Sequence, residues 1–305
     1  MSRRIVQLLF AVLGLAVFVG GLAVMRSWGE NWGATAAERR QALVGDELLP
    51  PSARTSTMAI TIHAPVAKVW PWLAQFGAGR GGLYSYAWFE NLITCKVVNA
   101  NTVVPALQNV RLGDVVRMCG GDFGPPSWAV AAVEPGRALV LGKQDARRTH
   151  WTSTDQLVLA PVDAQTTRLF WRNRAGNPSV DGLALGPGMF VMQRGSLIGI
   201  QERAEGRIPS WYARESELLF WLVAFLGFVV AIAATAVRRR WQPAFLAAVV
   251  AALVTLFLVL AMPPVWLDFV GAVVVWAVVG WSFFTYRAQL GWDMMPGKSA
   301  RPLAS

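Results

Sequence analysis

Four long apolar runs and one stretch of short-period alternation divide this chain. Ile5 to Met25 carries no charged residue and is as long as the roughly 20 residues that a bilayer crossing needs. Three further runs, Leu218–Val237, Pro243–Met262 and Val265–Tyr286, follow near the other end. Arg238-Arg239-Arg240 divides the first two of these, and Met262-Pro263-Pro264 the last two. Connections this short predict helical hairpins, the economical way to satisfy every backbone group in lipid. The apolar core of Ile5–Met25 is longer than that of a cleaved leader, so residues 1–28 are expected to be an uncleaved N-terminal anchor. Residues 29–53 are expected to be a linker and 208–217 an interfacial linker, with a cytoplasmic tail over 288–305. Residues 54–207 form the middle domain, long enough to bury a core of its own.

The middle domain is organised around Thr57 to Asn91. Met58, Ile60 and Ile62 alternate with Ala59, Thr61 and His63, which predicts a strand. Ala64-Pro65 stops it, and Val66, Val69, Trp70, Leu73 and Phe76 recur at helical spacing. Pro71 sits inside that pattern, where a kink is expected. A glycine-rich break and a second aromatic helix follow. Five more strands are predicted at Val115–Cys119, Trp128–Val133, Ala138–Lys143, Trp151–Val162 and Thr166–Arg174. In the last of them Leu169 and Trp171 alternate with Arg168, Phe170 and Arg172, which predicts a solvated outer face for the arginines. Met189 to Glu205 is the closing helix, with Phe190, Leu197, Ile200 and Ala204 on one stripe. Gly195 and Gly199 leave a groove on that helix, open to a neighbouring element or to a ligand.

Composition sharpens the membrane reading. The chain is 54% hydrophobic and only 15% charged, with a mean hydropathy of +0.41. Its net charge of +10 invites a nucleic-acid reading, but the cations are scattered and nearly all Arg, without an aromatic RNA-binding signature. No nucleic-acid partner is therefore expected. Arg3, Arg4, the Arg238–Arg240 triplet, Arg287, Lys298 and Arg301 fall on one side if four helices span. That side is then the cytoplasm, both termini included, and the middle domain is extracytoplasmic at the cell (inner) membrane. Outside the cytoplasm, Cys95 and Cys119 have the option of a disulfide; two buried free thiols are the alternative. Neither cysteine has metal-ligand spacing and His63 and His150 stand alone, so no metal and no cofactor are expected. Asp268, near the outer end of the last run, reads as interfacial.

The order of elements, with Ile60-Thr61-Ile62-His63-Ala64-Pro65, Val69-Trp70-Pro71-Trp72-Leu73 and Gly79-Arg80-Gly81-Gly82-Leu83-Tyr84-Ser85-Tyr86 followed by Trp88, Glu90 and Asn91, resembles the START/Bet v1-like superfamily. Within it the chain is similar to the polyketide cyclase/dehydrase and lipid-transport group. Leu112-Gly113-Asp114 before a strand, and the hairpin from Val133-Glu134-Pro135-Gly136-Arg137 into Ala138-Leu139, fit as well. The resemblance covers about half the chain and no membrane run. It implies an α+β helix-grip domain, an antiparallel curved sheet around a long C-terminal helix, inserted between transmembrane helices. It also implies an apolar ligand cavity. Strand parity lines that cavity with Val116, Met118, Trp128, Leu157, Leu159, Leu169 and Trp171. Met189, Phe190, Gln193 and Leu197 face them, and Tyr84, Tyr86 and Trp88 stand at the mouth. Plain core packing accounts for each of these side chains too.

No residue is assigned a catalytic role. His63 reads as a surface residue, Glu90 as a partner of Arg80, and Asp155 as a cross-strand partner of Arg172 or Arg174. There is no G-x-S-x-G elbow, and the glycines of Gly77 to Gly82 lack a phosphate loop's ending. The expected function is a membrane-tethered, non-catalytic binding module for a lipid or other hydrophobic small molecule. A cyclase/dehydratase-type enzyme using the same cavity, with polar groups inside it, is the alternative. The partner is membrane lipid or that molecule; no protein partner is read from the sequence.

Overall fold

The computed structural model describes residues 3–92, 94–120, 127–176, 180–208 and 211–293. They form two compact units, one spanning Ala23–Glu215, the other Met1–Leu22 with Ser216–Ser305.

The second unit is helical. Its elements belong to α1 (Arg3–Gly29), α6 (Trp211–Val237), α7 (Gln242–Ala261) and α8 (Val265–Asp293). Each contains a stretch long and apolar enough to cross a bilayer, which suggests a multi-pass membrane protein. Helix α6 begins seven residues before the apolar run at Leu218, because nothing in Trp211–Glu217 breaks a helix; hydropathy sees only its apolar part. At one end of this unit the Arg3 guanidinium donates to the Arg239 carbonyl and the Gln7 amide to the Arg238 carbonyl. Arg238 also donates to the Ser282 carbonyl at 3.2 Å and stacks on Phe283. The start of α1, the turn between α6 and α7, and this part of α8 therefore meet at one end. Ala244, Ala247, Ala248 and Ala251 are buried along α7, and small side chains of this kind let α7 and α8 pack closely. Asp268, in the first turn of α8, is buried, with the Trp221 indole N–H donating to Oδ1 at 2.8 Å.

In the first unit six antiparallel strands run in the order β1-β6-β5-β4-β3-β2. They are β1 (Arg54–Ile62), β2 (Val115–Val116), β3 (Trp128–Glu134), β4 (Ala138–Gln144), β5 (Trp151–Pro161) and β6 (Thr167–Ala175). Bulges between Val130 and Ala132 and between Lys143 and Gln144 bend the inner strands. The order of elements is strand β1, helices α3 (Val66–Ala74) and α4 (Ala87–Leu92), strands β2 to β6, then helix α5 (Val180–Ala204). Pro71 lies inside α3, which runs only three residues beyond it. Helix α5 starts nine residues before the expected Met189, through Gly182, Gly186 and Gly188, residues of low helix propensity. It packs on α3 and β1. Gly199 answers the groove question: a Cβ there would sit 2.1 Å from the Tyr84 carbonyl oxygen, and one at Gly195 would sit 3.0 Å from the Tyr86 ring. The glycine stripe receives the Tyr84–Tyr86 loop.

The outer face of the sheet corrects the sequence reading. It carries Ala59, Phe170, Val158 and Ala138, buried beneath Ala34, Leu43 and Val44. The arginines on it are not solvated. Residues 30–53 cross this face as a strap containing α2 (Ala36–Arg40), whose Thr35 and Glu38 form a capping box. The Trp32 carbonyl accepts from Ala59 N–H at 3.0 Å, covering the outer edge of β1, and Gly33 (φ 72°) passes where a Cβ would strike the Ala59 carbonyl. Arg168 holds Glu38 through two parallel bonds of 2.8 and 3.1 Å. That bonding, with help from the Thr35 cap, lowers the Glu38 carboxyl to a pKa of about 2. Arg172, only 2% exposed, donates to Thr57 Oγ1, the Gln41, Glu38 and Arg39 carbonyls and Asp46 Oδ2. Arg174 donates to Thr55 Oγ1 and to the Asp46, Leu49 and Pro50 carbonyls. The strap is stapled down by β6.

Candidate functional site

The inner face of the sheet is built in rungs whose chemistry changes along the strands. Antiparallel register puts Ile60, Leu169 and Leu159 on one rung and Met58, Trp171, Leu157 and Leu139 on the next, all buried. The third rung is polar: Ser56, Asn173 and Asp155, with Leu141 beside them. Ser56 and Asn173 are half-buried there. The fourth carries Arg54, Ala175, Ser153 and Lys143, of which Arg54 and Lys143 are exposed. The face thus grades from a dry end to a half-open polar end.

At the dry end aromatic rings fill the space. Phe76 meets Trp171 edge-on at 5.7 Å, Tyr84 lies 6.1 Å from Phe76, and Trp72 meets Tyr84 edge-on at 5.9 Å. Tyr84 adopts φ 58°, unusual for a non-glycine residue, and is fixed by its N–H to Asn99 Oδ1 (2.7 Å) and its hydroxyl to the Trp72 carbonyl (3.1 Å). Burial raises its phenol pKa. Leu197, Ile200 and Ala204, one stripe of α5, are buried as well. Gln193 continues that stripe one turn toward the polar rungs and is half-buried.

Asp155 stands at the transition. It is 5% exposed, and its Oδ1 accepts both the Trp171 indole N–H (2.8 Å) and the Asn173 amide (2.9 Å). Burial raises its pKa, against the lowering by those two donors. The expected ion pair with Arg172 or Arg174 is not formed. Asp155 pairs with Asn173, so alternation sends both arginines to the opposite face.

The other expected lining residues are not gathered in one place. Leu157, Leu159, Leu169 and Trp171 lie on the inner face; Val116 and Trp128 pair with each other at the far edge, Trp128 half-buried, with Met118 half-buried just beyond. Tyr84 and Tyr86 are completely buried against the glycine stripe of α5. Phe190 packs on the end of α1, 5.8 Å from Trp28 and under Arg194 at 4.6 Å. Met189 is 53% exposed. Trp88 donates from its indole N–H to the Glu215 carbonyl at 2.8 Å.

Glu90 does not pair with Arg80, which instead donates to the Ala74 and Leu107 carbonyls at 2.9 and 3.2 Å. Glu90 is buried on α4, with the Ser85 hydroxyl on Oε1 and no partner for Oε2. Burial, and in smaller part the Glu215 carboxylate, push its pKa up to about 7. His63 is exposed, and its backbone N–H donates to Glu205 Oε1 at 2.8 Å. Among the described residues His63, Glu90 and Asp155 have separate partner sets. Cys95 and Cys119 are joined as a disulfide, Cα atoms 4.4 Å apart. It closes the stretch from just after α4 to just past β2, in a small cluster with Ala78 and Val97.

A groove of about 650 Å³ lies on the outer face, lined by Arg39, Arg40, Asp46, Pro50, Arg172 and Arg174 among others. Every N–H of Arg172 is already committed to the strap, so its charge is not offered to a ligand.

No protein-family model matches this chain, and no curated protein matches it. Among solved structures it is similar to the crystal structure of protein MLL2253 from Mesorhizobium loti, a structural-genomics target. The likeness covers 50% of this chain and 98% of that one, at 17% identity and a TM-score of 0.29. It is a distant match to half the chain.

Proposed function

We propose that this protein is a membrane-tethered module that binds a lipid or other hydrophobic small molecule between the inner face of its sheet and α5, without catalysis. The observation that carries this reading is the graded inner face. Two apolar rungs end in a polar, half-open rung beside Gln193, the composition of a small-molecule site with a few placed polar groups. The order β1, two short helices, five antiparallel strands and long α5 is also that of the START/Bet v1-like superfamily, whose helix grip encloses such a cavity.

The same reading puts the sheet unit outside the cytoplasm. Its support is the meeting of Arg3 with the Arg238–Arg240 turn at one end of the helical unit, and a disulfide in the sheet unit. A maleimide that does not cross membranes, applied to intact cells carrying Asn177→Cys, is expected to label that thiol. Labelling only after lysis would refute the orientation.

One feature favours the alternative, a cyclase/dehydratase-type enzyme: Asp155 is a buried carboxyl with a raised pKa in the same space. Binding is tested with a diazirine-bearing hexadecane added to the purified full chain and photolysed. Crosslinks are expected on peptides of β5, β6 and α5 in addition to the apolar helices. Crosslinks confined to the apolar helices would overturn the binding reading.

A further inference from the structure

We propose that α4 and the loop after it form a second membrane contact, a rigid apolar edge of the sheet unit that enters the interface of the bilayer its helices span. Ligand binding by the sheet is not assumed. Phe89 and Leu92 stand one turn apart on α4 and are 40% and 67% exposed. Asn91 grips Val97 at both backbone groups, its amide donating to the carbonyl at 3.0 Å and its oxygen accepting the N–H at 2.7 Å. That grip returns the chain to the last turn of α4, where Val98 is 76% exposed. Cys95, inside the same loop, is joined to Cys119. Apolar side chains held this firmly in the open mark an interaction surface.

The contacts of α4 select lipid as its occupant. The Glu215 carboxylate accepts the Ala87 and Trp88 N–H groups, and the Glu215 carbonyl accepts the Trp88 indole N–H at 2.8 Å. Glu215 is also the first residue of the α6 stretch that is long and apolar enough to cross a bilayer. These bonds therefore hold α4 at the height where α6 passes from water into lipid. Adjacent Trp88 and Phe89 suit that depth, as does exposed Trp28, four residues beyond the end of the α1 stretch at Val24. Glu90, the carboxylate of α4, is buried against Ser85, so it adds no charge to the exposed edge. Lys96 is exposed in the loop and has the reach and the charge to meet headgroup phosphates.

Single introduced cysteines test this in the full chain, because Cys95 and Cys119 are already joined. Leu92→Cys and Val98→Cys report on the edge. Ala164→Cys, in the β5–β6 turn, is the control, at the sheet end away from Arg54 and its α1 partner Glu30. Each is labelled with a nitrobenzoxadiazole maleimide and placed in nanodiscs holding one chain apiece. Replacing the disc lipid by one with a doxyl group near the head of an acyl chain is expected to quench the labels at 92 and 98 about twofold, and the label at 164 hardly at all, the depth of an element lying in the interface. Equal quenching at all three sites would overturn the proposal. So would labels at 92 and 98 that are shielded from iodide yet untouched by the doxyl lipid, since protein and not lipid would then cover α4. Shielding that arises only in discs holding two chains would assign the edge to a second copy and overturn it as well.

Discussion

Arg172→Ala is expected to destabilise the sheet unit by about 3–5 kcal/mol, the usual consequence of deleting one member of a buried, fully bonded charge cluster. The side chain is 2% exposed and joins three strap carbonyls and Asp46 to Thr57. Its loss leaves these carbonyls without their partner and opens the strap to water. Arg172→Lys is expected to recover little, since one ammonium cannot span acceptors placed around a planar fork. Asp46→Asn should cost less, because Asp46 is 27% exposed and its oxygen can be rehydrated. The measurement that isolates the staple is hydrogen exchange. Amides of residues 36–53 should lose protection in Arg172→Ala before those of β4 and β5 do. Strap protection equal to that of the unaltered chain would refute the stapling account, whatever the melting temperature.

The arginines of β6 show where a sequence stops being legible. Alternation placed them correctly on one face of the strand, opposite Leu169 and Trp171. What alternation does not carry is whether a face is covered. Residues 30–53 have no period and are rich in charge, so they read as a linker, and their carbonyls, which do the holding, leave no trace in side-chain identity. Asp155 was readable in principle. Once the turn at Asp163-Ala164-Gln165 fixes Pro161 against Thr167, register forces Asp155 onto Asn173 and away from both arginines. Glu90 was not readable, because the group that faces it, Glu215, lies on α6, beyond the whole sheet. The four apolar helices were the plainest signal, since lipid demands unbroken apolar length. The start of α5 was hidden by glycines and Pro187, where local propensity points away from the helix that forms.

Glu90→Gln is expected to stabilise the protein at alkaline pH and to leave it nearly unchanged at acid pH. Burial makes the neutral form of Glu90 the favoured one in the fold, raising its pKa from 4.5 to about 7, with Glu215 adding to the rise. Between these two values the native state holds a proton that the unfolded chain has released. Stability from this group is therefore complete below 4.5 and is lost as pH climbs through about 7. A shift of that size amounts to about 3 kcal/mol at pH 8.5, or roughly 6–12 °C in melting temperature for a unit of this length. Glutamine keeps a bond to Ser85 and carries no charge to lose. Above neutrality the charged Glu90 would also oppose Glu215, whose carboxylate accepts the Ala87 and Trp88 N–H groups at 3.2 and 3.3 Å and so pins the start of α4 to α6. Amides of α4 in the unaltered chain should accordingly exchange faster at pH 8.5, relative to β5, than in Glu90→Gln. Tryptophan-fluorescence melts of the two full-length proteins at pH 5 and pH 8.5 decide the matter: a gap of similar size at both values, or a less stable glutamine variant at pH 8.5, would mean that Glu90 is not the titrating group.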